Sequence, residues 1–270
     1  VVWSPTKDKA ILEYPDDSKI MYDFKNKKQY TLPREYEDIS FAQNGREIAF
    51  KYMAEDENER WLAIANPDGT GMQVIEPLSD KADSFDVDYS PSGQVVAMFK
   101  ESTSAESQEI YLVGKYGENF KSISVNGKGF QSQWAPNGQR IIYSVYSAKT
   151  DYKPSLWVVD AQGESIGENK INLGLNTTPD KCTFTGSSSV ICAVPVGMER
   201  GTGPFPELSS DKPDIFYRVD LDTGTKTQLA IPVSADGSGQ FQAKNIFVDD
   251  MGHYLYFTDN FTGRLYKIKL

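Results

Sequence analysis

Trp134-Ala135-Pro136-Asn137-Gly138 closes one short alternating run, turns tightly at Asn-Gly, and opens the apolar run that begins at Ile141. The same phrase stands at Trp3-Ser4-Pro5, at Phe41-Ala42-Gln43-Asn44-Gly45 and at Tyr89-Ser90-Pro91-Ser92-Gly93. It returns in worn form at Phe184-Thr185-Gly186 and at Val248-Asp249-Asp250-Met251-Gly252. The anchors, at 3, 41, 89, 134, 184 and 248, lie 38, 48, 45, 50 and 64 residues apart. Self-similarity at such a period marks a repeat architecture, and it takes precedence over any local reading.

Each repeat reads as a four-stranded meander. In the second, strands are expected at 38–41, 48–52, 61–65 and 72–75. The Asn-Gly and Ser-Gly pairs supply the positive φ angles that tight hairpins need. A second hairpin signal falls between strands three and four, at Pro67-Asp68-Gly69, Lys115-Tyr116-Gly117, Ala161-Gln162-Gly163 and Asp222-Thr223-Gly224. No stretch sustains a 3.6-residue period, so little helix is expected. Short strands, regular turns and this period argue for a β-propeller over a sandwich. The expectation is an all-β, single-domain, six-bladed propeller with blades near 1–33, 36–78, 84–125, 129–175, 180–233 and 243–270. The last blade has sequence for only three strands.

The phrase Trp-Ser-Pro-(Asp/Asn)-Gly, followed by an apolar strand and then an Asp-Gly or Asn-Gly turn before an outer strand, resembles the TolB-like, WD-repeat-like propeller repeat. The likeness runs over essentially the whole chain. It implies the fold strongly and function weakly, since propellers host many unrelated activities. These residues correspond to the propeller half of TolB, so TolB's own partner interaction is not carried over. Prolyl-oligopeptidase-type peptidases carry similar repeats beside a hydrolase domain, which these residues do not include. TolB-like proteins are generally exported, which implies an extracytoplasmic place, periplasmic or at the cell surface. An open last blade exposes a strand edge. Either residues preceding Val1 complete it, with a targeting segment among them, or a three-stranded blade is held by packing alone.

The composition excludes several classes. Twenty-eight basic and 38 acidic side chains leave a net charge of −10, which repels phosphate backbones and disfavours a nucleic-acid partner. The longest apolar run, Val190–Val196, is far short of a membrane span. Two cysteines are too few for a four-thiolate zinc site, and one histidine excludes a His-rich cluster. If Phe184 pairs with Val190 across the Thr185–Ser189 turn, Cys182 falls directly opposite Cys192. Such a pair either forms a disulfide, which belongs to an oxidising compartment, or stays as two buried thiols.

Chain direction sorts the loops onto two faces. Those after strands one and three are short throughout. Those after strand two and between blades hold the insertions, at Met53–Arg60, Glu101–Gln108, Ser147–Pro154, Val196–Pro213 and Pro232–Ala243. Long loops gathered on one rim of a rigid scaffold are where binding usually resides. Val196–Pro213, with Met198 and Phe205, offers apolar contacts. Alignment of the inner strands places Asp38, Asp86, Gln131, Lys181 and Asn245 at one level, and Ser40, Asp88, Gln133, Thr183 and Phe247 at the next. The channel mouth is thus expected to be polar, with an acidic sector from Asp38, Asp86 and Asp88. Two readings follow. The polar residues face water, or Asp38, Asp86 and Asn245 hold a calcium ion, which wants several oxygen ligands.

Other motifs dissolve into the repeat. His253 sits at a hairpin position held by Arg46, Gln94 and Gln139 elsewhere, so no Ser-His-Asp triad is expected. Asp222-Thr223-Gly224 is a hairpin turn, and Gly201-Thr202-Gly203 lacks the third glycine of a phosphate loop. The expected function is non-enzymatic: a monomeric scaffold presenting its long-loop face to a protein or peptide partner, without cofactor. The alternative is a calcium-dependent hydrolase or lactonase.

Overall fold

The computed structural model describes residues 1–232 and 240–270. They form six antiparallel sheets, the blades of a six-bladed propeller, and no α-helix, only 3-10 turns of three to six residues. No helix among these residues is long and apolar enough to cross a membrane. Backbone contacts group the chain into two compact units. One is Val1–Ser102 with Glu109–Ile123, and the other Thr103–Gln108 with Ser124–Leu270.

In the first unit, blade one is β1 (Val2–Trp3), β2 (Lys9–Glu13), β3 (Lys19–Asp23) and β4 (Lys28–Leu32). Blade two is β5 (Tyr36–Phe41), β6 (Ile48–Tyr52), β7 (Trp61–Ala65) and β8 (Gln73–Pro77). Blade three is β9 (Phe85–Val87), β10 (Val95–Ser104), β11 (Ser107–Gly114) and β12 (Ile123–Asn126), its hairpin tip and residues 124–126 counting with the second unit. Alternation along the strands gives each blade two apolar faces. Ile48 and Phe50 of β6 pack with Ile11, Met21 and Leu32 of blade one. Ala49, between them, joins Leu62 and Ile64 against Phe85 and Val96 of blade three.

In the second unit, blade four is β13 (Lys128–Trp134), β14 (Arg140–Tyr146), β15 (Ser155–Asp160) and β16 (Ile171–Asn172). Blade five is β17 (Cys182–Phe184), β18 (Ser189–Pro195), β19 (Asp214–Asp220) and β20 (Lys226–Ala230). Blade six has three strands, β21 (Ala243–Val248), β22 (Tyr254–Asp259) and β23 (Leu265–Lys269). Strand β18 shows the same alternation. Val190 and Cys192 face Ile142, Leu156 and Val158 of blade four, while Ile191 and Ala193 face Leu255 and Phe257 of blade six. The pairing Phe184↔Val190 brings Cys182 opposite Cys192, and the two form a disulfide within the packed face between blades four and five.

Two details depart from the sequence reading. Glu101–Gln108 is no loop, because β10 and β11 run on as a paired ribbon. Its tip is held by Thr103 and Ser104 hydroxyls on Ser107 Oγ, each at 2.7 Å. Polar side chains signalled a loop, but a ribbon exposed on both faces needs no apolar alternation. The inner strands β5, β13 and β21 each carry a bulge, between Glu37 and Ser40, Lys128 and Gln131, and Lys244 and Phe247. Each bulge starts on a residue at positive φ: Asp38 at 50°, Gly129 at 66° and Asn245 at 51°. Of the expected 232–243 insertion, residues 233–239 lie outside the described residues.

Candidate functional site

The long-loop insertions of blades four and five are joined to one another in the second unit. The backbone N–H of Gly201 donates to Asp151 O at 2.9 Å, and that of Gly203 to Tyr152 O at 2.7 Å. Asp151 and Tyr152 both take positive φ, 54° and 55°, which turns their carbonyls to these donors. Beneath, the Tyr146 ring is fitted between two glycines, since a Cβ on either Gly129 or Gly203 would overlap it. Gly201-Thr202-Gly203 is therefore a docking strap whose glycines admit an aromatic ring, and it pins the 196–213 loop over blade four.

Under this strap lies a recess of about 470 Å³, its open mouth included. Blade four contributes Gln131, Ser144 and Tyr146, and the loop contributes Met198, Pro206 and Ser209. Gln131 and Ser144 are paired across β13 and β14, so they share the blade face whose next inward residue, Ile142, belongs to the core with blade five. Among the described residues, Lys181, from the 3-10 turn Pro179–Lys181, is the single charged one of the lining. Its Nζ donates to both carboxylate oxygens of Asp214, at 2.8 and 2.7 Å. The Asp214 side chain is fully buried and also accepts the Ala243 N–H. Burial raises the Asp214 carboxyl above its ordinary range, and the lysine and this N–H offset only part of that rise. The pair fixes an ammonium at the base of the recess.

The expected binding residues separate. Gln131 and Met198 line this recess together, whereas Phe205, 56% exposed, does not line it and stands on the outer side of the loop. Asp38, Asp86 and Asp88 belong to the first unit, and Asn245 to the second. Asp38 is bound to Lys51 of β6 at 2.6 Å, and Asp86 to Lys100 of β10 at 2.8 Å. Two of the three carboxylate or amide oxygens assigned to calcium are thus already met by ammonium groups. Among the described residues, no group of three or more His, Cys, Asp or Glu side chains is placed to hold a metal ion. Those residues do not fit a hard cation as they stand. Asp88 differs. Burial, and then the neighbouring Asp86 charge, pushes its carboxyl up to about 7. His253 is exposed at its turn, its N–H donating to Asp249 Oδ1 at 2.7 Å.

Ser144, Tyr146 and Lys181's partner Asp214 were not singled out from sequence as site residues. Two signals pointed there. A serine interrupts the apolar run of β14, and Gly129 interrupts β13, where an isolated glycine marks close approach of another group.

No family model matches the chain, and no curated protein matches it. Solved structures do match. TolB from Acinetobacter baumannii superposes with a TM-score of 0.53 over 84% of this chain and 53% of that one, at 13% identity. The fold is that of the TolB-like six-bladed propellers. The chain spans about half the length of that TolB. An oligogalacturonate lyase in complex with manganese gives a TM-score of 0.63 at 12% identity, over 99% of this chain and 75% of that one. The acylaminoacyl peptidase of Pyrococcus horikoshii gives 0.61 at 10%, over 99% and 46%. At these identities the likeness is one of fold, which TolB, a lyase and a peptidase share.

Proposed function

We propose that this chain is a non-enzymatic, monomeric propeller that binds a protein or peptide on its long-loop rim, in an extracytoplasmic compartment of a bacterial envelope. The observation that carries this reading is the strapped recess of blades four and five. Its loop is pinned at both Gly201 and Gly203, and its one charged lining residue is a lysine already paired to a buried carboxylate. A lysine so engaged serves as a fixed positive contact, which suits recognition. A preformed concavity that combines apolar surface with placed polar groups is the usual form of a ligand site. The Cys182–Cys192 bond supports export, since such bonds persist in oxidising compartments.

The test is capture by the immobilised chain of interacting proteins from a bacterial envelope extract. Replacing residues 201–209 with a short Gly-Ser linker is expected to abolish capture of a partner that the unaltered chain retains, with the far-UV spectrum unchanged. His253→Ala, in an exposed short turn of blade six, is expected to leave capture intact. Capture indifferent to the linker would overturn the assignment of the rim. Saturable calcium binding that switches on lactone hydrolysis would replace the reading with the calcium-dependent hydrolase.

A further inference from the structure

We propose that the recess between blades four and five receives the free α-carboxylate of a peptide's C-terminal residue, with that residue's apolar side chain against Met198 and Pro206. This rests on the peptide-binding reading above and names the chemical group recognised.

The donors inside the recess divide into those already used and those left over. Thr177 and Thr202 are buried, and their hydroxyls donate to Ala193 O and Glu199 O, each at 2.6 Å. They shape the wall and have no donor to offer. Ser144 is only 1% exposed and lines the recess, yet no protein atom among the described residues hydrogen-bonds its hydroxyl. A hydroxyl that lines the recess and has no protein partner is left to serve an acceptor that enters it. An ammonium has three N–H donors, and Lys181 directs at most two at Asp214. Among the described residues of the lining, one hydroxyl and one ammonium N–H are thus left over beside the polar side chains of Gln131, Tyr146 and Thr178, and none is a carboxylate.

An ammonium and a hydroxyl lining one recess suit the oxygens of a carboxylate, and a charged acceptor gains about twice what a neutral one does. The site is also prepared in advance. Asp214, held by Ala243 N–H, fixes the ammonium, and β-sheet pairing fixes Ser144. On a chain of net charge −10, a recess whose only charged residue is cationic selects the end of a peptide over its acidic surroundings. Met198, Pro154, Pro195 and Pro206 offer that residue an apolar wall.

The experiment is a heteronuclear NMR titration of the full chain with N-acetyl-leucine, which carries the free carboxylate, and with N-acetyl-leucinamide, which does not. The acid is expected to shift the amide signals of Gly129, Ser144 and Gly203 saturably, with an affinity about ten-fold above that of the amide. Sodium acetate, a carboxylate without the side chain, is expected to compete only at far higher concentration. Ser144→Ala is expected to weaken the acid about five-fold or more while leaving the melting temperature unchanged. Lys181→Met should abolish binding but also strips Asp214 of its partner, so Lys181→Arg, which keeps the charge, is the paired variant and should retain preference for the acid. Equal affinity for acid and amide overturns the proposal. So does saturation at other residues, acetate binding as tightly as N-acetyl-leucine, no saturable shift, or indifference to S144A. Partner capture that still depends on residues 201–209 would in those cases leave the binding reading standing, so the two failures are distinguishable.

Discussion

Asp88 and Asp38 are both acidic residues of inner strands, and their surroundings give them opposite characters. Asp38 is exposed and neutralised by Lys51 at 2.6 Å, and it opens a bulge at φ 50°. Aspartate tolerates that region through its short polar side chain, whereas a β-branched residue does not. Both Asp38→Gly and Asp38→Val strip the buried Lys51 of its partner, and Asp38→Val adds backbone strain, so it is expected to be less stable than Asp38→Gly by about 2 kcal/mol, read by urea unfolding. Asp88 has a carboxyl pushed up to about 7 by burial and then by Asp86. Its folded pKa lies above the unfolded value, so between about pH 4 and pH 7 the native state holds the extra proton. Stability from this group is therefore greatest below the unfolded pKa and falls as pH rises through 7. Asp88→Asn removes that fall. It is expected to be more stable than the parent at pH 8, by up to about 4 kcal/mol, and to show little difference at pH 4. Melting temperatures of the two proteins across that range check it, and parallel curves would sink it.

The strap formed by Gly201-Thr202-Gly203 is the element on which the recess depends, and its glycines are tied to one aromatic ring. Gly203 has no need of positive φ, so its requirement is purely one of space against Tyr146. Gly203→Ala is expected to cost about 1–3 kcal/mol by overpacking, and to open the 196–213 loop to limited proteolysis. Gly186, in the same unit, would meet no atom within 4 Å with an added Cβ, so Gly186→Ala should be near neutral. Adding Tyr146→Ala to G203A should recover part of the loss, because residues in contact do not add. This element also shows where sequence legibility ends. Strands and turns were readable because period-two alternation and Asn-Gly pairs are local properties. The pairing of Cys182 with Cys192 was readable for the same reason, since a hairpin's turn sets its register. The strap was not, because Gly203 meets Tyr146 through tertiary packing across a long separation in the chain. Lys51 and Lys100 were missed likewise, since the aspartates they neutralise were aligned along inner strands without regard to the strand beside each. Asp38 and Asp86 therefore read as free acids from the sequence and are ion pairs in the fold.

On the scale of the whole chain, the two compact units carry their own cores. Blades one to three pack through the groups around Phe50 and Leu62, and blades four to six through those around Cys192 and Phe257. The single cross-link joins residues ten apart within the second unit alone. A cross-link acts mainly by restricting the unfolded chain, and a loop this small stabilises by about 2 kcal/mol in that account. Its loss should then act locally. Cys182 and Cys192 lie in the face that joins blade four to blade five, with Ile142, Leu156 and Val219. The double substitution C182A/C192A is expected to raise amide exchange through β17, β18 and β19, where pairing continues from Cys192 to Tyr217. Blades one and two should exchange as before. Reductant applied to the parent should reproduce the same pattern, because both treatments remove the same constraint and leave the apolar packing largely in place. Hydrogen exchange read by mass spectrometry separates this from the alternative, in which the chain unfolds as one cooperative body. In that case protection would fall by the same factor in all six blades. A fall confined to 182–221 would instead mark blade five as a separately opening part of the second unit, which carries one wall of the recess.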